Sequence, residues 1–166
     1  MSSHGAPDRN EPRILVFGYG NPGRQDDGAG VVFVDELSEL TRSGERPWLA
    51  FDTNYQLNVE DALAVAKQDI VVFADASRDQ PEGYLFRRIR PSASVSFSTH
   101  AMSPESVLAL SQELYGARSK AYLLTLRGYE WEPNGILTTR ARTNIEAAKA
   151  FLTPLLERPE KLFHSE

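Results

Sequence analysis

The chain predicts a three-layer α/β/α sandwich around a mostly parallel, twisted sheet of about five strands. Three observations carry that expectation. Short apolar runs alternate with helical periodicities along most of the 166 residues. The run DIVVFA, Asp69 to Ala74, is continuously apolar after its first residue, as a strand covered on both faces should be. No internal repeat or low-complexity tract competes with one domain, and 166 residues suffice for a single buried core.

The elements follow in order. Arg13 to Gly18 is a short apolar run ending in glycine, and reads as the first strand. From Asp27 to about Thr41, apolar residues at Val31, Val34, Leu37 and Leu40 give a helical stripe. Pro47 to Asp52 reads as a second strand. Asn58 can cap a helix to about Lys67, with Asp61 at the capping-box position. Asp69 to Ala74 is the third strand, and Gly83 to Ile89 and Ser94 to Ser98 read as shorter ones. Ser103-Pro104-Glu105 opens a helix with a serine cap and proline in the first turn, and Gly116 ends it after Tyr115. Lys120 to Leu126 is a further strand, and Thr139 to about Leu156 a final amphipathic helix. This divides the chain into a loosely ordered segment at 1–12, a domain at 13–157 and a loosely ordered tail at 158–166.

Composition narrows the chemistry. A net charge of −5 argues against nucleic acid as partner, because such binders carry a basic stripe. The absence of cysteine removes disulfides, thiolate metal sites and a cysteine nucleophile. Met1 to Pro12 lacks the apolar stretch of a secretory signal, and no run is long enough for a membrane span. The expected location is cytoplasmic.

Ligands in sheets of this kind sit beyond the carboxyl ends of the strands, so the functional residues belong there. Asp26 and Asp27 lie just past the first strand, Asp75 immediately past the third, and His100 between a strand-like segment and a helix start. Each also has an ordinary structural use. Asp26 reads as a helix cap and Asp27 as a partner of the helix dipole. Asp75 can start a turn, and His100 can be a satisfied, half-buried histidine. His4 and His164 fall in the expected tails, so His100 is the one imidazole the core offers at neutral pH. Two carboxylates and an imidazole suit a first-row divalent ion such as nickel or zinc better than calcium or magnesium.

Gly18, Gly20 and Gly23 spell a literal G-x-G-x-x-G, the dinucleotide pattern. That pattern needs its helix to begin at the glycines, with bare amides facing the pyrophosphate. Here Pro22 removes one amide, and an acidic pair occupies the anion's position. The letters GNPG also open the peptidyl-tRNA hydrolases. The likeness stops there: the next residues are RQDDGAG instead of a histidine-containing stretch, and the acidic balance does not suit RNA.

Four blocks taken together, ILVFGYGNPGRQDDGAG, NYQLNVEDA, VVFADAS and STHAMSPESVLAL, resemble the hydrogenase maturation proteases. The resemblance spans about Arg13 to Leu156, with the blocks in the family's order. It implies a phosphorylase/hydrolase-like sandwich and an endopeptidase, grouped with the aspartic-type peptidases, that removes the C-terminal extension of the nickel–iron hydrogenase large-subunit precursor. It also implies that nickel, supplied by the substrate, is the recognition element, with zinc or cadmium as possible surrogates. The family's three metal-contacting and catalytic positions fall on Asp27, Asp75 and His100. Where the family can carry an Asp-Glu pair, this chain has Asp26-Asp27, one methylene shorter. On this reading the ion polarises the scissile carbonyl while Asp26 or Asp75 takes the proton from water. Two other functions are consistent with the residues: a nickel-sensing maturation chaperone without cleavage, and a peptidyl-tRNA hydrolase-like esterase. No G-x-S-x-G elbow points to a serine mechanism.

Overall fold

Every residue from Ile14 to Phe17 is buried, as a central strand covered on both faces requires. The computed structural model describes residues 11–41, 45–93 and 102–164. It contains β1 (Ile14–Tyr19), α1 (Ala29–Thr41), β2 (Leu49–Asn54), α2 (Asp61–Ala66), β3 (Ile70–Ser77), β4 (Tyr84–Ile89), α3 (Pro104–Tyr115), β5 (Lys120–Arg127), α4 (Thr139–Glu157) and α5 (Glu160–His164). The sheet order is β2-β1-β3-β5-β4. All its pairings are parallel except β4 against β5.

Side-chain alternation splits the core into two layers. Ile14, Val16, Val72, Ala74 and Leu124 face α1 and α4, meeting Phe33, Leu37, Ile145 and Leu152. Leu15, Phe17, Val71, Phe73 and Leu123 face α2 and α3, meeting Ala62, Val65, Val107 and Leu110. Each buried Val, Leu, Ile or Phe side chain among them contributes about 1.5–3 kcal/mol through removal from water. The expected three-layer α/β sandwich is the fold.

Several boundaries differ from the sequence reading for physical reasons. β3 runs on to Ser77 because β5 pairs with it through Ser77↔Arg127. Asp75 therefore lies inside the strand, opposite Thr125, not past its end. Before α1 the chain makes a 3-10 turn, Gln25–Gly28, so the α-helix starts later than Asp27. Asn58 does not cap α2 with its side chain; its backbone N–H donates to Asp61 Oδ2 at 2.7 Å, the reach-back half of a capping box. Residues 160–164, expected in a loose tail, form α5, and Leu162 is fully buried against the α1/α4 core. Residues 1–10, the Ser94–Ser98 strand and His100 lie outside the described residues.

Candidate functional site

Successive strands are laid down on opposite sides of β1: β2 on one flank, β3 on the other. Crossover helices pack on opposite faces, α1 on one and α2 on the other. The carboxyl ends of β1 and β3 are thus the switch point of the sheet, where such folds open a crevice. Tyr19 ends β1, Asp27 follows it on the 3-10 turn, and Asp75 lies near the end of β3.

Two glycines set this junction. Gly20 has φ of +138°, a conformation natural only to glycine, and a Cβ there would stand 2.1 Å from the Asp27 carbonyl oxygen. Gly30, in the first turn of α1, passes so close to β3 that a Cβ would stand 2.5 Å from the Ala74 carbonyl oxygen and 3.1 Å from the Asp75 Cα. The glycines of GYGNPG and DDGAG therefore bring backbone against backbone. They do not form a phosphate cradle. Asn21 donates its N–H to Asp27 Oδ2 at 2.9 Å, so one amide of the turn is already spent on the chain's own carboxylate.

Asp75 shares the α2/α3 side of β3 with Val71 and Phe73. Its Oδ1 accepts the N–H of Ala76 at 2.8 Å. Burial first, and then the Asp27 carboxylate, push Asp75 up to about 7, against the opposing pull of the Ala76 amide and the Tyr19 hydroxyl. The Asp27 carboxylate thus lies within electrostatic reach of Asp75. The Tyr19 hydroxyl donates to Asp75, and Tyr19 itself is pushed well above the usual phenol range by burial and by that carboxylate. Met102, two residues after His100 in the chain, packs in the same layer as Tyr19, and its N–H donates to the Leu57 carbonyl. Among the described residues no group of three His, Cys, Asp or Glu side chains is placed to hold a metal; His100 is not among them.

Asp26 is not the cap of α1. It is fully buried, and Arg24 precedes the 3-10 turn without a side-chain cap. Its Oδ2 accepts from the N–H of Tyr129 at 2.8 Å, the N–H of Glu130 at 3.2 Å and the hydroxyl of Thr138 at 2.7 Å. Its Oδ1 accepts from the N–H of Thr138 at 2.9 Å. Gln25 adds to the same anchorage with φ of +47°: its Oε1 accepts the N–H of Glu132 at 2.9 Å, and its Nε2 donates to the Ile136 carbonyl at 3.2 Å. The acidic pair thus splits into two roles. Asp27 faces the β1/β3 junction, and Asp26 ties down the connection between β5 and α4. Sequence reasoning missed Tyr19 as a partner of Asp75 and Thr138 as a partner of Asp26. Tyr19 carried one usable signal, its place as the last residue of a buried strand beside the glycine turn.

No family model matches the chain, and no curated protein matches it. Solved structures do. The NiFe hydrogenase maturation protease HycI from Thermococcus kodakarensis superposes with a TM-score of 0.70 at 23% identity, covering 90% of this chain and 95% of its own. The hydrogenase maturating endopeptidase HybD from E. coli gives 0.61 at 24% identity, with 88% and 93% covered. A hydrogenase 2 maturation peptidase from a Thaumarchaeota archaeon gives 0.64 at 20% identity, with 87% and 98% covered. At these identities the shared property is the fold, over nearly the whole of each chain.

Proposed function

We propose that this chain is a hydrogenase maturation endopeptidase, which removes the C-terminal extension from a nickel-loaded large-subunit precursor. The observation that carries the reading is the convergence of Asp27 and Asp75 on the β1/β3 switch point, where Gly20 packs against Asp27 and Gly30 against Asp75, in a fold shared with proteins named for that activity. The four sequence blocks, in the order found in that family, support it independently.

Asp27, Asp75 and His100 are the residues proposed to meet the nickel, which arrives as part of the substrate. Two carboxylate oxygens and an imidazole nitrogen form a donor set suited to a first-row divalent ion. Asp75, poised near neutrality, is the group that exchanges a proton when a cation arrives, because a nearby dication favours the charged carboxylate. Hydrolysis needs a polarised carbonyl and a water that loses a proton. Asp26 is unsuited to take that proton, since four donors already occupy its two oxygens and it is fully buried. Asp75 is the remaining candidate base, through the carboxylate oxygen that does not meet the nickel, since the charged form the ion favours is the form that accepts a proton. Tyr19 orients it by hydrogen bonding.

The test is the intact mass of the precursor after incubation with this protein. A nickel-loaded precursor should lose its C-terminal extension, and a nickel-free one should not. The variants Asp75→Asn and His100→Ala should leave both uncut. Stable binding of the loaded precursor with its mass unchanged would make the protein a nickel-sensing chaperone instead. No binding and no cleavage would remove the reading altogether.

No helix among the described residues is long and apolar enough to cross a membrane.

A further inference from the structure

Arginine and aromatic side chains interleave where β3 and β5 end, beside the proposed site. The Arg78 guanidinium carbon lies 4.6 Å from the centre of the Trp131 ring. Those of Arg127 and Arg140 lie 5.2 Å and 4.0 Å from the centre of the Tyr129 ring. Arg140 is already paired with Glu82 and serves as a strut. Arg78 and Arg127 make no ion pair with any described residue, although Asp79, Glu82, Glu130 and Glu132 lie in the adjoining loops.

The Tyr129 support is held by hydrogen bonds at both ends. The N–H of Tyr129 donates to buried Asp26 at 2.8 Å, and Asn144 Nδ2 donates to the Tyr129 hydroxyl at 2.9 Å. Ser77 accepts the N–H of Gly128 at 2.9 Å, fastening the start of the same loop to β3. A guanidinium with its face against a ring keeps its N–H donors along the edge, where a carboxylate engages it in the plane. Stacking also fixes the side chain beforehand, so less freedom is lost on binding. Arg127 lies opposite Ser77, two positions along the ladder from the Asp75–Thr125 pair. That separation is about 7 Å, within the span of a few extended residues.

We propose that Arg78 and Arg127 form a shelf for an acidic peptide segment carrying two carboxylates, one for each guanidinium. Two cations on separate aromatic supports fit two acids spaced along an extended strand better than one chain terminus. The assignment rests on the endopeptidase reading only for the source of the peptide, namely the polypeptide cut at the neighbouring site.

The test needs no cleavage. The chain has two tryptophans, so Trp48→Phe leaves Trp131 as the reporter. The probe is an amidated Gly-Ser-Glu-Gly-Glu-Gly-Ser peptide, with its Gln counterpart and a free-acid peptide lacking Glu as controls. The acidic peptide should change Trp131 emission saturably, with affinity falling as salt rises. The Gln peptide, and Arg78→Gln or Arg127→Gln, should each weaken binding about tenfold. Arg78→Lys should lose part of the affinity. Anisotropy of a labelled peptide on the unmodified protein repeats the measurement should Trp48→Phe not fold. Asp75→Asn should bind the peptide normally, so failure of cleavage and failure of the shelf are separable. Equal binding of the Glu and Gln peptides, tightest binding of the free-acid control, no saturable binding, or insensitivity to both arginine variants would each overturn the assignment.

Discussion

Thr138 and Asp26, separated by 112 positions, are joined twice: the threonine hydroxyl reaches Asp26 Oδ2 at 2.7 Å and its N–H reaches Oδ1 at 2.9 Å. The same hydroxyl oxygen accepts the N–H of Ala141 at 3.1 Å, capping α4. One carboxylate at the end of the first βα connection therefore fixes where the last long helix begins. Asp26→Ala would strand three backbone donors in a buried place, at a cost of roughly 3–5 kcal/mol. At about 2–4 °C per kcal/mol for a chain of this size, the melting temperature should fall by roughly 10 °C. A loss below about 1 kcal/mol in urea denaturation would mean that water or rearrangement replaces these bonds.

Asp75 gives stability a definite pH slope. Its folded pKa, about 7, is above the ordinary carboxylate value, so the folded protein holds this proton more tightly than the unfolded chain. Its favourable contribution is complete below the unfolded value near 3.8 and is lost as pH rises through about 7. At 1.36 kcal/mol per unit, the change is on the order of a few kcal/mol. The difference between native protein and Asp75→Asn, measured by urea denaturation from pH 4 to 8, isolates this group from the other carboxylates. Asp75→Asn should lose the part of the slope that lies between these values. Identical slopes in the two proteins would show that Asp75 titrates normally.

Tyr19→Phe removes a donor that favours the charged form of Asp75, so the Asp75 midpoint should move upward, above about 7. Carboxyl-carbon NMR titration reads this directly. A downward shift would mean that the hydroxyl does not donate to Asp75.

Gly30→Ala would place a methyl 2.5 Å from the Ala74 carbonyl oxygen. Neither strand nor helix backbone can give way cheaply there, and the cost should be at least about 2 kcal/mol. Because the same contact sets α1 against β3, the variant should also weaken cadmium binding if Asp27 and Asp75 hold a cation as proposed. A fully stable variant would show that α1 can shift without loss.

Much of this fold is legible in the residues because the signals are local. Ser103 accepts the N–H of Ser106 at 3.1 Å, Pro104 opens α3, and Gly116 closes it in the left-handed conformation, all as the SPE and YG pairs suggest. The apolar run of β3 declares its place between two helical layers in the same way. What is not legible depends on distant partners. The extra residues of β3 that enclose Asp75 exist because β5, some 50 positions later, pairs with them. The anchoring role of Asp26 belongs to amides more than 100 residues away, and no local spacing reveals it. α5 is a short helix fastened by one buried leucine, with the Lys120 ammonium bonded to the Phe163 carbonyl, and a single apolar residue is too weak a pattern to read.

A crystal of the protein soaked with cadmium and recorded at an anomalous wavelength decides whether the two aspartates and the histidine share one cation. One strong anomalous peak is expected at the carboxyl ends of β1 and β3, within bonding distance of Asp27, Asp75 and His100 together. A peak that engages neither aspartate, or one with His100 turned to another part of the molecule, would contradict that shared site.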